Sequence, residues 1–208
     1  MANDPLEPLE LFAFPLFSSM VADHEKHHQT LIDEIQAHRR AHPGGMVRSN
    51  RDGWHSGPEL VVNPSDSMRF VLRNALYFAR QALAPYYDEW RTSELRLGHF
   101  WANILGPHGW NAPHHHHPQH WSGCYYVSVG KIGKVAGEQA GLIEFLNPFP
   151  IQSHWGGGSF AYAPRDGLQL LFPSSLVHLV HPHPYDFDRI SIAYNFNVVD
   201  RPVGAVPD

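Results

Sequence analysis

Cysteine is almost missing from this sequence: among 208 residues only Cys124 carries a thiol. One thiol forms no internal disulfide and builds no thiolate metal site, so any bound metal must be held by histidine and carboxylate. This usage suits a reducing compartment. Charge is sparse too, at 17% of residues, with fifteen Lys and Arg against twenty Asp and Glu for a formal net charge of -5. No basic run is long enough to follow a phosphate backbone, which argues against nucleic acid and against an anionic membrane surface as partners. Nor is there a stretch of about twenty apolar residues that would span a bilayer. The first residues, "MANDPLEPLELFAFPLF", carry acids where a secretory signal needs basic residues. A cytoplasmic protein is the expectation.

What the sequence has in quantity is histidine (17), proline (18) and aromatic residues (12%), hence many turns and many potential ligands. The length fits one domain over residues 1–208, with 1–94 supporting and 95–200 forming the core. "LELFAFPLFSSMV", from Leu9 to Val21, is an apolar run cut by Pro15 and reads as an extended or edge segment. In "ADHEKHHQTLIDEIQAHRRAH", Leu31, Ile32 and Ile35 have helical spacing, with acids early and Arg39 and Arg40 late, and "PGG" ends that helix. Its His24, His27 and His28 are read as a solvated face without a role. Ser49 to Asp66 is rich in turn-forming residues and reads as a loop. The next segment places Met68, Val71, Leu72, Ala75, Leu76, Ala79 and Leu83 at i, i+3, i+4 spacing, a second helix capped by Ser65, Asp66 or Ser67.

From Leu95 the pattern changes to short runs rich in Val, Ile, Tyr and Phe, separated by Gly, Pro and Asn. They are "LRLGHFWANIL", "SGCYYVSV", "GLIEFLN", "SFAYAP", "GLQLLFP", "LVHLVHP" and "RISIAYNFNVV", and they predict a β-barrel or sandwich with the helices packed outside.

Chemistry concentrates in three places. "NAPHHHHPQHWSG" holds four successive histidines; it is internal and flanked by apolar segments, so it is not an expression tag. On an extended segment residues i and i+2 share a face, so His114 with His116, or His115 with His117, can approach one ion. Solvent-exposed loop histidines are the alternative. His178 lies inside the apolar run "LQLLFPSSLVHLV", where a buried imidazole needs a hydrogen bond or a metal. Arg189 opens the alternating strand "RISIAYNF" with Ser191 on the same face; its planar fork suits a bidentate carboxylate, either of a bound acid or of Asp186 or Asp188 nearby.

The order of a histidine pair, a distant His and then Arg-x-Ser resembles the non-haem Fe(II), 2-oxoglutarate-dependent oxygenases. "SNRDGWHS", "HHHPQHWSGCYYV", "FPSSLVHLV" and "RISIAYNFNV" are similar, more narrowly, to a bacterial branch of that superfamily combining GW-x-S, H-x-HP, SG-x-YY, FPS-x-L-x-H and R-x-S. The resemblance implies a double-stranded β-helix, or jelly roll, with helices on one outer face. It implies Fe(II) held by His115, His117 and His178, with Arg189 and Ser191 on the far carboxylate of 2-oxoglutarate. It also implies O2 as co-substrate, hydroxylation of a small molecule, and release of succinate and CO2. One departure stands out: most of the superfamily uses two His and one carboxylate, whereas the carboxylate position here is a histidine. Three-histidine iron sites also occur in cupin-like dioxygenases that need no 2-oxoglutarate, and a non-catalytic metal-binding barrel is a further alternative.

Asn103 is a candidate for the near carboxylate or the substrate. Trp54, His55 and Ser56 are candidates for a substrate wall, with a docked, sealing Trp54 as the alternative. Tyr126 shares a strand face with Cys124 and is a candidate pocket residue. Trp101, Trp110, Trp121 and Trp155 are compatible with an apolar substrate or with sealing of the barrel. A homodimer through the N-terminal segment or an edge strand is compatible with the sequence.

Overall fold

The structure is a computed structural model that describes residues 13–87, 93–130, 139–149 and 158–200. Trp155 and the first residues of the Leu9 to Val21 segment therefore lie outside the described residues. The elements in chain order are β1 (Phe17–Met20), α1 (Glu25–Ala41), β2 (Asn50–His55), α2 (Asp66–Leu83), β3 (Ser93–His114), β4 (Trp121–Ser128), β5 (Ile143–Leu146), β6 (Ser159–Tyr162), β7 (Leu168–Pro173), β8 (His178–Val180) and β9 (Arg189–Asp200). No helix among the described residues is long and apolar enough to cross a membrane.

Both helices form where the apolar spacing places them. In α1, Leu31 and Ile35 are buried, and the helix ends at His42, whose backbone leaves the helical region ahead of Pro43. In α2 the Ser65 hydroxyl accepts from the Met68 N–H at 3.0 Å, and Met68, Val71, Ala75, Ala79 and Leu83 are buried. The α1 histidines are not a solvated face. His27 stacks on Phe70 at 3.9 Å between ring centroids and bonds Ser67, while His28 bonds the Tyr125 hydroxyl at 3.0 Å.

The strands form one curled sheet in the order β1-β7-β4-β9-β3-β8-β5-β6, with β2 added on β3. All neighbouring pairs are antiparallel. The curl comes from β3, 22 residues long. Its first part pairs with β9, ending at Leu105↔Arg189, and its last part pairs with β8, at Asn111↔Val180 and His114↔His178. The chain turns between these parts, where an added Cβ at Gly109 would come within 2.7 Å of the Asp52 carbonyl. This is the double-stranded β-helix.

The segment read as a loop from Ser49 to Asp66 holds strand β2 followed by a 3-10 turn at Pro58–Val61. Its residues "NRDGWH" lack alternation, so pairing with β3, and not local propensity, makes this a strand. Two apolar clusters result. One joins Leu31, Ile35, Met68 and Val71 of the helices to Trp54, Ile104, Tyr125, Ile192 and Tyr194 on the outer face of the sheet. The other lies inside the curl, with Leu105, Cys124, Tyr126, Ile143, Leu170, Phe172 and Val180.

Candidate metal centre and its cavity

Inside the curl is a cavity of about 800 Å³. Its wall follows from strand alternation: Asn103 of β3, Ser191 of β9 and Tyr126 of β4 are direct cross-strand neighbours, and Trp101, Ala193 and Cys124 form the next rung. On the opposite face of β4, Gly123 makes room for the Tyr194 ring, since a Cβ there would collide with that ring and with the Leu170 carbonyl.

At one end three imidazoles converge. His114, His116 and His178 each offer a ring nitrogen within 4.8 Å of the others, and theirs is the only such group of three or more among the described residues. This differs from the expected grouping of His178 with His115 and His117, which are exposed and border the cavity without joining the group. The cause is one extra residue in β3. Two residues lie between Asn111 and His114 where β8 has one between Val180 and His178. Asn111 faces the cavity, so uninterrupted alternation would have turned residues 113, 115 and 117 inward. The bulge moves that face to His114 and His116.

The three rings fit a divalent metal. Nδ1 of His114 lies 2.8 Å from the Ala112 carbonyl, and Nδ1 of His178 lies 3.0 Å from the Leu176 carbonyl. A backbone acceptor on Nδ1 fixes the proton there and leaves the Nε2 lone pair for an ion. Burial lowers the pKa of all three below the ordinary histidine value, with neighbouring histidines as a lesser cause, and brings that of His116 to about 3. Neutral imidazoles are the metal-binding form. His116 is also tied from behind: its N–H donates to the Ser174 carbonyl at 2.8 Å, and the Ser174 hydroxyl meets Ser122, which donates to Asn195.

Further along the wall sits Arg189, 2% exposed. Its guanidinium carbon lies 5.0 Å over the Tyr126 ring. Neither Asp186 nor Asp188 forms an ion pair with it. Asp188 points the other way and accepts from Gln36 at 2.7 Å and Arg39 at 3.3 Å on α1. Arg189 Nε and the Tyr126 hydroxyl are buried without a hydrogen-bond partner. Burial raises the Tyr126 hydroxyl and the Cys124 thiol, the latter to about 11, so both remain protonated near neutrality.

Of the remaining candidates, Asn103, Ser191, Tyr126, His55 and Ser56 line the cavity. Ser56 is internally committed, its hydroxyl accepting from the Ala102 N–H at 3.0 Å. Trp54 is not on the wall. As the neighbour of His55 on a strand it points outward, where its indole N–H donates to the His42 carbonyl at 2.9 Å and seals the helices onto the sheet. Trp121 likewise faces out, toward Tyr87. Trp101 is on the wall, stacked with His55, and Asn195 is a wall residue that had gone unnoticed in the sequence. Asn195 was readable, because it continues the inward series of Arg189, Ser191 and Ala193.

Residues 99–195 match the family described as "Putative 2OG-Fe(II) oxygenase". That span contains the three histidines, Asn103, Arg189 and Ser191. No curated protein matches the chain. Similar solved structures include a Pseudomonas putida prolyl-4-hydroxylase, at TM-score 0.58 and 14% identity, covering 88% of this chain and 91% of that one. A Trichoplax adhaerens prolyl hydroxylase in complex with a hypoxia inducible factor peptide fragment reaches TM-score 0.61 at 10% identity, covering 88% and 83%. HygX from Streptomyces hygroscopicus, with nickel and 2-oxoglutarate bound, reaches 0.59 at 12% identity, covering 88% and 82%. These likenesses show the fold. Family match and fold together support the 2OG-Fe(II) oxygenase superfamily, and the three-histidine group fits the Fe(II), 2-oxoglutarate and O2 of that class.

Proposed function

We propose that this protein is an Fe(II)- and 2-oxoglutarate-dependent oxygenase that hydroxylates a small-molecule substrate and releases succinate and CO2. The observation that carries the reading is a pair of features in one cavity: three neutral imidazoles converging at one point, and a buried guanidinium with no carboxylate partner further along. His114, His116 and His178 hold the iron. Arg189 and Ser191 take the far carboxylate of 2-oxoglutarate, Tyr126 donates its hydroxyl proton to the same group, and Asn103 bonds the near carboxylate or the substrate.

Charge supports this assignment. A buried Arg without a partner costs several kcal/mol, and three neutral ligands leave the full charge of a divalent ion uncompensated. A dianionic keto acid spanning both positions offsets the two together. When bound, iron and 2-oxoglutarate supply the oxidising chemistry that splits O2 between the substrate and succinate. The residues of the chain orient the keto acid and keep the ring nitrogens unprotonated.

A second reading has its own observation, the lack of a carboxylate in the metal group among the described residues. It makes the protein a three-histidine dioxygenase that needs no keto acid. Oxygen uptake by the Fe(II)-loaded protein, followed together with succinate formation, separates the two. Uptake matched by succinate is expected; substrate-dependent uptake indifferent to 2-oxoglutarate would overturn the first reading. A chain that takes up no Fe(II) would be a non-catalytic barrel.

A further inference from the structure

The outer part of the cavity carries information about the substrate. The chain has twenty acidic residues and a net charge of -5, yet among the described residues no Asp or Glu lines the cavity. Its fixed charges are two arginines, Arg189 in the depth and Arg48 at the mouth. A cavity walled by low-dielectric protein and lined with charge of one sign concentrates the field of that sign. An acidic chain with no carboxylate among the described residues of one cavity wall presents a positive interior to its ligands.

If 2-oxoglutarate occupies Arg189, as the proposed function holds, Arg48 remains. It is exposed, and no carboxylate among the described residues lies within ion-pair distance of its side chain. Its position is held through its backbone: the Arg48 N–H donates to the Asn50 side chain at 2.7 Å, and the Arg48 carbonyl accepts from Arg51 at 3.0 Å. These bonds anchor the turn before β2 and leave the guanidinium free. Next to it, His55 and Trp101 are stacked with ring planes 10° apart and centroids at 5.4 Å. The His55 ring is held in place by a 2.6 Å bond between Nδ1 and the Ser56 carbonyl. The pair makes a flat ledge between the mouth and His116, whose ring centroid is 5.5 Å from that of Trp101. Met46, Pro58 and Leu97 add apolar surface beside it.

We infer that the substrate is a carboxylic acid with a flat apolar body, its carboxylate paired with Arg48 and its body laid on the His55–Trp101 ledge. The inference rests on the oxygenase reading in giving Arg189 to the keto acid and in placing the oxidising centre beside His116. Because the body lies between Arg48 and His116, the carbon to be oxidised is at the end of the molecule remote from its acid group.

The test uses Fe(II)-loaded protein saturated with 2-oxoglutarate under nitrogen, titrated with 3-phenylpropanoate and with 3-phenylpropanamide, and followed by calorimetry. The acid is expected to bind about tenfold or more tighter than the amide, the range of one charge-assisted hydrogen bond. Arg48→Gln should erase the preference, and Arg48→Glu should shift it to 3-phenylpropylamine. Binding of 2-oxoglutarate should be equal in all three proteins. Failure of the acid to bind, equal binding of acid and amide, persistence of the preference in Arg48→Gln, or displacement of the acid by 2-oxoglutarate would each overturn the inference. Failure of 2-oxoglutarate to bind, with the Arg48-dependent preference intact, would remove the oxygenase reading and leave the acid site standing.

Discussion

The two faces of the sheet treat neighbouring residues in opposite ways. Trp54, Tyr125 and Asp188 point outward beneath the helices, and each has its polar atom satisfied, by the His42 carbonyl, by His28, and by Gln36 with Arg39. The next residue of each pair, His55, Tyr126 or Arg189, points into the cavity, where the Tyr126 hydroxyl and Arg189 Nε have no partner. Folding satisfies these three polar groups of the outer face. The inner face keeps unsatisfied donors in place, and such groups persist only where the rest of the fold carries their cost. Stability is thus lodged on one side of β3, β4 and β9 and binding capacity on the other.

That division can be broken from either side. Arg189→Met should weaken 2-oxoglutarate binding to the Fe(II)-loaded protein by about 2–5 kcal/mol, the cost of losing one partner of a buried charge pair. The metal-free variant should melt no lower than wild type, since it loses an uncompensated cation; a variant that bound 2-oxoglutarate normally would take the carboxylate role from Arg189. Trp54→Ala, on the outer face, should cost about 3–5 kcal/mol in denaturant unfolding while the affinity of the surviving folded protein for 2-oxoglutarate stays unchanged. A drop in that affinity comparable to the one in Arg189→Met would show that the faces are not independent. The smallest effect sharpens the comparison within a single dipeptide. Tyr125→Phe should destabilise by about 1 kcal/mol through the lost bond to His28. Tyr126→Phe should leave stability unchanged or raised and weaken 2-oxoglutarate binding, measurable in paired melting curves and titrations.

The strands of the core were readable because alternation has a fixed period of two, and each of the seven runs from Leu95 onward contains a strand. The inward position of Arg189 and Ser191 follows from the same count, since β9 runs without a shift from Arg189 to Asn195. Where the count fails, so does the reading. The residue added between Asn111 and His114 inverts the phase of the histidine run, and its local mark is Pro113, a residue that strands admit at bulges. Strand β2 escaped for the opposite reason. Its polar residues carry no period at all, so Trp54 and His55 were assigned to one wall although neighbours on a strand face opposite ways. Contacts made across the sheet, such as those of His28 and Asp188, had no local signature to read.

The added residue in β3 has a bearing on the tolerance of this sequence to length changes. In a segment with only two histidines, deletion or insertion of one residue upstream would rotate both away from the cavity. Four in succession remove that dependence for a deletion: loss of one upstream residue replaces His114 and His116 with His115 and His117, of identical chemistry, whereas an insertion would bring in Pro113 with His115. The homopolymeric run is thus a redundancy against the loss of a residue, one that keeps a two-donor motif available when the strand is shortened by one.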